Sequence, residues 1–488
     1  MGYLARRRRQ WLGRVVGLAA GLDFLSNVSV NFAESAIRAG LGVSSEGFLW
    51  VLTAYAVAGA LSIALLERLS RMMRLRDLLL IGIALFALGS FAAVLSESLP
   101  QLIAARLIQG LGGGPLMTCG RVLLQISLPP ERRPRQLQGF MLAIFAAAAP
   151  GAWLAASLIE SGNWHALFVL HTLAGVLVWL CAWAILPKGN YVARGMGHLD
   201  PWALLAFCLG VLLCLHELQG LRYQPLAGAL TLRLAAGGAL FLGLAWRLRR
   251  HPDPWFNLDT LASRRYLVGL AFYTWYYLLN GAITLVLPRY LLSGEGFDLL
   301  NAGRVLSLGG LATVLALPGY FRLARHLPDR RYVMAGGFVL FAGLCAYLSR
   351  AATGMTSLSL LLPVVLLKGL FPVLVVIQVA GLAFREFKHL DFAHAYAMKN
   401  VLRLLANAVG AGLADVYWQT TSAQSRTALV ERIDVFSMGS ALDSANLLRL
   451  SQDIDRQAAL ICASQTFAVA ALLSLLGAVA VVWQKALR

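Results

Sequence analysis

Apolar residues in this chain come in blocks too long for the helices or strands of a soluble core. Stretches of about 20 predominantly apolar residues, the length that crosses a hydrocarbon layer, begin near Trp11, Gly47, Asp77, Leu99, Leu137, His165, Pro201, Leu226, Tyr266, Ala302, Tyr332, Ser357, Phe392 and Gln457. Short polar gaps separate most of them. The pattern predicts an all-α polytopic membrane protein of about fourteen spans. The first block follows Arg6 to Arg9 and imitates a secretory signal through Val15 to Ala20. With so many spans behind it, it reads as an uncleaved first helix.

Composition sharpens this. The chain is 59% hydrophobic and 13% charged, with a mean hydropathy of +0.70, against about 45–50% and about 25% in soluble domains. Its 42 Lys and Arg against 23 Asp and Glu give a net charge of +19. In a soluble chain that excess would suggest a nucleic-acid partner. Here the basic residues crowd alternate gaps: Arg68, Arg71, Arg74 and Arg76; Arg132, Arg133 and Arg135; Lys188 and Arg194; Arg247 to Arg265; Arg322 to Arg331; Arg385 and Lys388; Lys485 and Arg488. That asymmetry predicts no nucleic acid but an orientation, with both termini on the cytoplasmic side. Cys119, Cys181, Cys208, Cys214, Cys345 and Cys462 lie in or beside apolar runs with no metal-ligand spacing, so neither a metal site nor a disulfide is expected. No GxSxG, HExxH, Walker A or GxGxxG pattern occurs in a fitting context, which points away from an enzyme, a cofactor or ATP-driven transport and toward an ion gradient as the energy source.

The chain also repeats itself. Arg68-Leu69-Ser70-Arg71, followed by Arg74, Arg76 and a span containing Gly82, recurs as Arg322-Leu323-Ala324-Arg325, followed by Arg330, Arg331 and a span containing Gly336-Gly337. Both copies fall between the second and third spans of a set of six. Duplication predicts two six-helix halves, residues 1–186 and 251–488, with 187–250 supplying two inserted spans and 419–456 a long outer loop. Such parallel halves place the substrate at the midplane between them.

Ala105-Arg106-Leu107-Ile108-Gln109-Gly110-Leu111-Gly112-Gly113-Gly114-Pro115-Leu116 resembles the RxxQGxxxGPL signature in the fourth span of the fourteen-span drug:proton antiporters, the EmrB/QacA branch of the major facilitator superfamily. Leu123-Leu124 and Leu128-Pro129-Pro130 are similar to its continuation. Leu199-Asp200-Pro201-Trp202 through Glu217-Leu218-Gln219-Gly220 resembles the first inserted span, Asn400-Val401-Leu402-Arg403 with Gly410 the thirteenth, and Arg456-Gln457-Ala458 with Phe467 the start of the last. The resemblance covers almost the whole chain. It implies the major facilitator fold and proton-coupled export of amphipathic small molecules across a bacterial inner membrane by alternating access. It also implies a periplasmic adaptor protein and an outer-membrane channel as partners. Two motifs depart from the family. The G-x-x-x-D-x-x-G-R-[RK] loop carries Glu67 at its first glycine and Arg71 at its acidic position, and the span-five GPxxGG retains Ala149-Pro150 but has Trp153, Leu154, Ser157 and Leu158 thereafter. The first favours a transport-dead sensor or assembly subunit as an alternative, the second a metabolite or lipid transporter running in another direction.

Charges within spans are costly and so mark candidate sites. Asp23, with Asn27 one turn on, matches the acidic residue that the branch carries in its first span, and Arg106 is the family's fourth-span arginine. Within ~4–6 Å the two would form a proton-coupling pair; a bent helix and a structural ion pair are the alternatives. The substrate cavity is expected to draw on Asn27, Gln109, Tyr276, Asn280, Lys368 and Arg403. Lys368 either pairs with Asp23 or Glu217 or offers its cation to an anionic substrate. Lys399 and Arg403, spaced i, i+4 with Asn400 and Asn407, line either the pathway or a headgroup site. Tyr273, Trp275, Tyr276, Tyr277 and Asn280 suit a cavity wall or an interfacial belt. Glu34 and Glu217 are the next candidates for the proton site, though Glu217 beside His216 also fits an interfacial pair. In the outer segment, Leu442, Leu447, Leu448, Leu450 and Ile454 interleave with Asp443, Arg449, Asp453 and Asp455, predicting a short surface helix that serves as adaptor dock or lid.

Overall fold

The computed structural model describes residues 2–487 except 188–199, 222–227, 252–253, 255–257, 260, 325, 327–328, 355, 385–386, 388 and 433–443. Lys188, Arg194, Leu199, Arg325, Arg385, Lys388, Leu442, Asp443 and Arg488 therefore lie outside the described residues. Among those described, the secondary structure is helical throughout.

The first half consists of α1 (Gly2–Phe32) with the short α2 (Glu34–Leu41) at its end, α3 (Ser45–Met72), α4 (Leu75–Val94), α5 (Leu99–Gly113), α6 (Leu116–Ser127), α7 (Arg133–Ala148), α8 (Gly151–Ile159) and α9 (His165–Ile185). Prolines break two of its rods: Pro115 stands between α5 and α6, and Pro150 between α7 and α8, because proline offers no N–H to the preceding turn. The inserted α10 (Pro201–Gly220) and α11 (Gly228–Arg250) pack on each other, and α10 also leans on the seam between α3 and α17 (His389–Val430). The second half holds α12 (Arg264–Arg289), α13 (Leu299–Leu323), α14 (Arg330–Ala351), the broken rod α15 (Leu358–Lys368) and α16 (Phe371–Leu382), then α17 and α18 (Ser444–Trp483). Eleven of the described helical stretches are long and apolar enough to cross a membrane. The rod from Leu99 to Ser127, α11 and α17 stand in the same bundle.

Two contacts set the level of everything else. α8 and α13 run antiparallel and touch where a Cβ on Gly303 would lie 2.7 Å from that of Ala156, and one on Gly310 2.8 Å from the Ala149 Cα. Small residues are what let helix backbones approach this closely inside a membrane. The small surface missing from the span-five motif is thus supplied by α13, and Ser307 Oγ accepts the Trp153 N–H at 2.9 Å. Farther along the same pair, Met141, Leu142 and Phe145 of α7 pack with Leu317 and Tyr320, so the start of α7 and the end of α13 share one face of the bundle. Gln136 reaches the Gln10 carbonyl at 3.4 Å and Arg331 the Gln484 carbonyl at 3.3 Å on that face. Both ends of the chain therefore lie there, and it is called the terminal face below.

The segment expected to be a loop over 419–456 is largely helical. α17 runs 42 residues and α18 40 residues, roughly 60 Å each at 1.5 Å per residue, twice what a bilayer core needs. On the face opposite the termini, Arg456 ties down the surrounding turns, donating to the carbonyls of Gly294, Glu295 and Gly354 at 2.9–3.0 Å. Beyond it the two helices continue side by side, joined by Arg426 and Asp455 at 3.1 Å. Leu447 and Leu448 do sit on a surface helix, but it is the extension of the last span.

Candidate functional site

A cavity of about 240 Å³ lies between the halves. Three helices set its depth. On α1 the lining runs from Phe24 to Phe32, on α12 from Tyr276 to Pro288, and on α17 from Arg403 to Ala411, each rising roughly 12–18 Å toward the opposite face. Phe145, Phe371, Tyr276 and Tyr277 make an aromatic wall, and Asn27, Asn31, Asn280 and Asn407 add amides. Tyr276 packs its ring 4.7 Å from that of Phe371, and Asn280 donates to Asn407 Oδ1 at 3.2 Å.

Asp23, fully buried, is not itself in the lining but lies just beneath the cavity floor that Phe24 and Arg403 line. Its Oδ2 receives Arg403 at 2.7 Å, and its Oδ1 receives the Tyr55 hydroxyl at 2.7 Å and the Asn27 amide at 3.0 Å. Three donors, one of them cationic, are what a carboxylate needs to remain charged away from water. The pair joins the first half to the second. Arg403 also lies 4.9 Å from the Phe24 ring centre.

The expected ion pair between Asp23 and Arg106 is not formed. Arg106 stacks on the Tyr55 ring at 4.2 Å and donates to Ser26 Oγ at 2.9 Å, the Val51 carbonyl at 3.3 Å and Gln109 Oε1. Its Nε and Nη1 donate within the first half while its buried Nη2 has no hydrogen-bond partner among the described residues, and Tyr55 stands between it and the carboxylate. Gln109 accordingly lies behind Arg106, donating to Ser90 Oγ at 2.7 Å, and does not line the cavity. Glu217 is likewise outside it, paired with Arg233 of α11 at 2.9 Å. Glu34 lies just past the cavity's far end, against Arg289.

Lys368 lines the cavity and has no ion-pair partner among the described residues; neither Asp23 nor Glu217 reaches it. It closes the last turn of α15, where the helix dipole favours a cation. The kink after it is fixed by Thr313 Oγ1, which donates to the Gly369 carbonyl at 2.6 Å. Arg403 and Lys368 are the charged side chains on the wall. With Arg403 matched by Asp23, the cavity presents one uncompensated positive charge beside aromatic surface.

Below the floor, toward the terminal face, Lys399 is buried with its Nζ 4.0 Å from the Tyr396 ring centre and 4.8 Å from that of Tyr273. Asn400 donates to Thr118 Oγ1 at 2.7 Å, and Arg121 lies 4.8 Å from the Phe392 ring centre. Trp275 faces away, donating to the Leu473 carbonyl at 3.1 Å. The altered motif expected in the loop begins inside α3: Glu67 and Arg71 lie in its last turns, where Glu67 holds Arg71 at 2.6 Å. Sequence reasoning passed over Tyr55, which looks like one more aromatic in an apolar run; the cue was only its helix's place beside α1 and α5.

The family model described as Major Facilitator Superfamily matches residues 16–411. The chain is 25% identical over 473 residues to the probable multidrug resistance protein EmrY of Escherichia coli K12, covering 94% of this chain and 91% of that one. It is 27% identical to the multidrug export protein EmrB of Haemophilus influenzae, covering 96% and 94%. Among solved structures, one from a study of proton-dependent oligopeptide transporters superposes with a TM-score of 0.65 at 12% identity, covering 96% of this chain and 97% of that chain.

Proposed function

The chain belongs to the Major Facilitator Superfamily, and from that membership we propose that it exports amphipathic, preferentially anionic, small molecules in exchange for protons, with Asp23 as the carrier of the coupling proton. It is a secondary transporter of the multidrug-efflux type. The observation that carries the coupling reading is the Asp23–Arg403 pair, which spans the halves at the cavity floor. Protonation of Asp23 removes its attraction for Arg403, and with it a tie between halves that must move apart in alternating access. Proton arrival and separation of the halves are thereby one event. Lys368 supports the preference for anions, since a substrate carboxylate or phenolate would supply the counter-charge that the cavity lacks.

In this reading the terminal face is cytoplasmic, the bundle crosses a bacterial inner membrane fourteen times, and α10 and α11 are the inserted spans between two six-helix halves. The projecting ends of α17 and α18, which expose Val430, Leu447 and Leu448, form a dock for a periplasmic adaptor leading to an outer-membrane channel. The deciding experiment uses purified protein in proteoliposomes with an imposed proton gradient and matched sets of weak-acid, neutral and cationic amphiphiles. Gradient-dependent flux of the weak acids, lost in Asp23→Asn, is the expected result. Flux that ignores the gradient would overturn it.

A further inference from the structure

Beneath the cavity floor two cations from opposite halves come together without a carboxylate to match either. Lys399 of α17 is 2% exposed, and its Nζ has ring faces beside it, Tyr396 at 4.0 Å and Tyr273 at 4.8 Å. Arg121 of α6 lies over the Phe392 ring at 4.8 Å and the same Tyr396 ring at 5.9 Å, and donates to Gln125 Oε1 at 2.9 Å. Among the described residues neither cation forms an ion pair. Asp23 is held by Arg403, one turn further along α17, and Asp391, two turns before Lys399, meets neither. The charged groups that bear on Lys399 are Arg403 and Arg121, and the one that bears on Arg121 is Arg133. Asn400 and Thr118, joined at 2.7 Å, hold α17 against α6 at this level.

Ring faces return only part of what an ammonium or a guanidinium loses on leaving water, and bringing two like charges together adds to that cost. An anion would offset both. We propose that the α6–α17 interface is a binding site for the anionic head of an amphiphile, a carboxylate, sulfonate or phosphate arriving from the terminal face, with Arg121 and Lys399 taking the head and the Phe392 and Tyr396 rings the apolar body. Those rings stack at 5.7 Å with 22° between their planes, and Phe384, just past α16, extends the strip 5.8 Å from Phe392. Lys399 lies one turn from Arg403, which lines the cavity, so the site stands on the cavity's approach from that face. Because Arg121 belongs to the first half and Lys399 to the second, an anion held by both replaces a repulsion across the seam with two attractions. The site is separate from Lys368 in the cavity, and it rests on the export reading for the molecule's onward route.

The test measures binding apart from transport. Full-length protein carrying Lys368→Gln, so that the cavity lacks its unmatched cation, is held in phosphatidylcholine nanodiscs and titrated with 1-naphthoate by equilibrium dialysis against empty discs. Saturable binding should persist on this background, weaken about tenfold or more on adding Arg121→Gln or Lys399→Met, and survive Lys399→Arg, which keeps the charge. 1-Naphthamide, a similar ring without the charge, should bind about tenfold or more weakly. Without ligand, Arg121→Gln and Lys399→Met should each raise the melting temperature, since each removes a buried cation and keeps most of its stem. Binding that vanishes with Lys368→Gln alone, binding that ignores both added variants, or naphthamide bound as well as naphthoate would overturn the inference. Lost binding with a lowered melting temperature in both variants would assign the pair to the scaffold. Displacement of naphthoate on changing the discs to phosphatidylglycerol would give the site to a lipid headgroup and overturn its assignment to a travelling molecule. Intact binding without gradient-driven flux would sink the export reading and leave this site standing.

Discussion

Removing the Asp23–Arg403 pair whole is predicted to cost well below the sum of breaking it from each side. In Asp23→Asn the carbonyl can still accept from Tyr55 at 2.7 Å, but the amide nitrogen now faces Arg403 where Oδ2 stood 2.7 Å away. A charge-assisted hydrogen bond worth about 1.5–3 kcal/mol is lost, and a guanidinium is left buried beside Phe24 without its anion. Together these amount to about 3–5 kcal/mol. Arg403→Gln strands the carboxylate instead, at a similar cost. In the double variant the two amides can bond to each other and no buried charge is orphaned, so its loss should be well below the sum of the singles. The coupling energy should be about 2 kcal/mol or more. Unfolding in detergent measures the cycle, and gradient-driven flux in proteoliposomes should be lost in all three variants, since none offers the same titratable pair. Additivity within about 0.5 kcal/mol would refute the energetic reasoning, and wild-type flux through Asp23→Asn would move the proton elsewhere.

Lys368→Gln should weaken transport of anionic amphiphiles about tenfold or more while sparing neutral ones, by the roughly 1.4 kcal/mol that a tenfold change in affinity represents; equal loss for both sets would assign Lys368 to the scaffold. Gly310→Val should destabilise the bundle by forcing apart α13 and α8, where a Cβ already meets the Ala149 Cα at 2.8 Å, whereas Gly319→Ala, with open space at its Cβ, should not change the melting temperature. Cysteine labelling in intact cells should reach Ser422 from outside, and Gly189 only after the membrane is breached; reversal at either position would invert the orientation. Deleting 438–453 should abolish co-purification with an adaptor and leave flux in proteoliposomes unchanged, and retention of the adaptor would remove this segment as its dock.

The architecture was legible because bilayer length is a one-dimensional property: runs of about 20 apolar residues reveal themselves without any knowledge of what they touch. Asp23, Lys368 and Arg403 were equally visible, since a charge in such a run stands out against its neighbours. Which charges meet is a different kind of fact. Arg106 and Lys368 were the partners expected for Asp23, and finding Arg403 there instead required knowing that Tyr55 stands against the Arg106 guanidinium while α17 brings Arg403 to the free oxygen. Glu34 was noticed, but Arg289 closes α12, where a charge looks like ordinary interfacial decoration, and Asp415 lies inside α17, whose polar extension reads as loop. The projecting ends of α17 and α18 read as a polar loop because solvent-exposed helix and loop share a composition.

α17 passes in a single unbroken rod by Lys399 beneath the floor, Arg403 at its ion pair with Asp23, Asn407 in the wall and Asp415 beside Arg289, and then stands clear of the bundle as far as Val430. A rod of that kind is a lever. From Arg403 to Arg426 it measures roughly 35 Å, so a tilt of about 5° at the buried end sweeps the free end by about 3 Å. The mechanics run in both directions: whatever grips the tip bears on how closely Arg403 can approach Asp23, and any displacement at that pair would reach the tip enlarged.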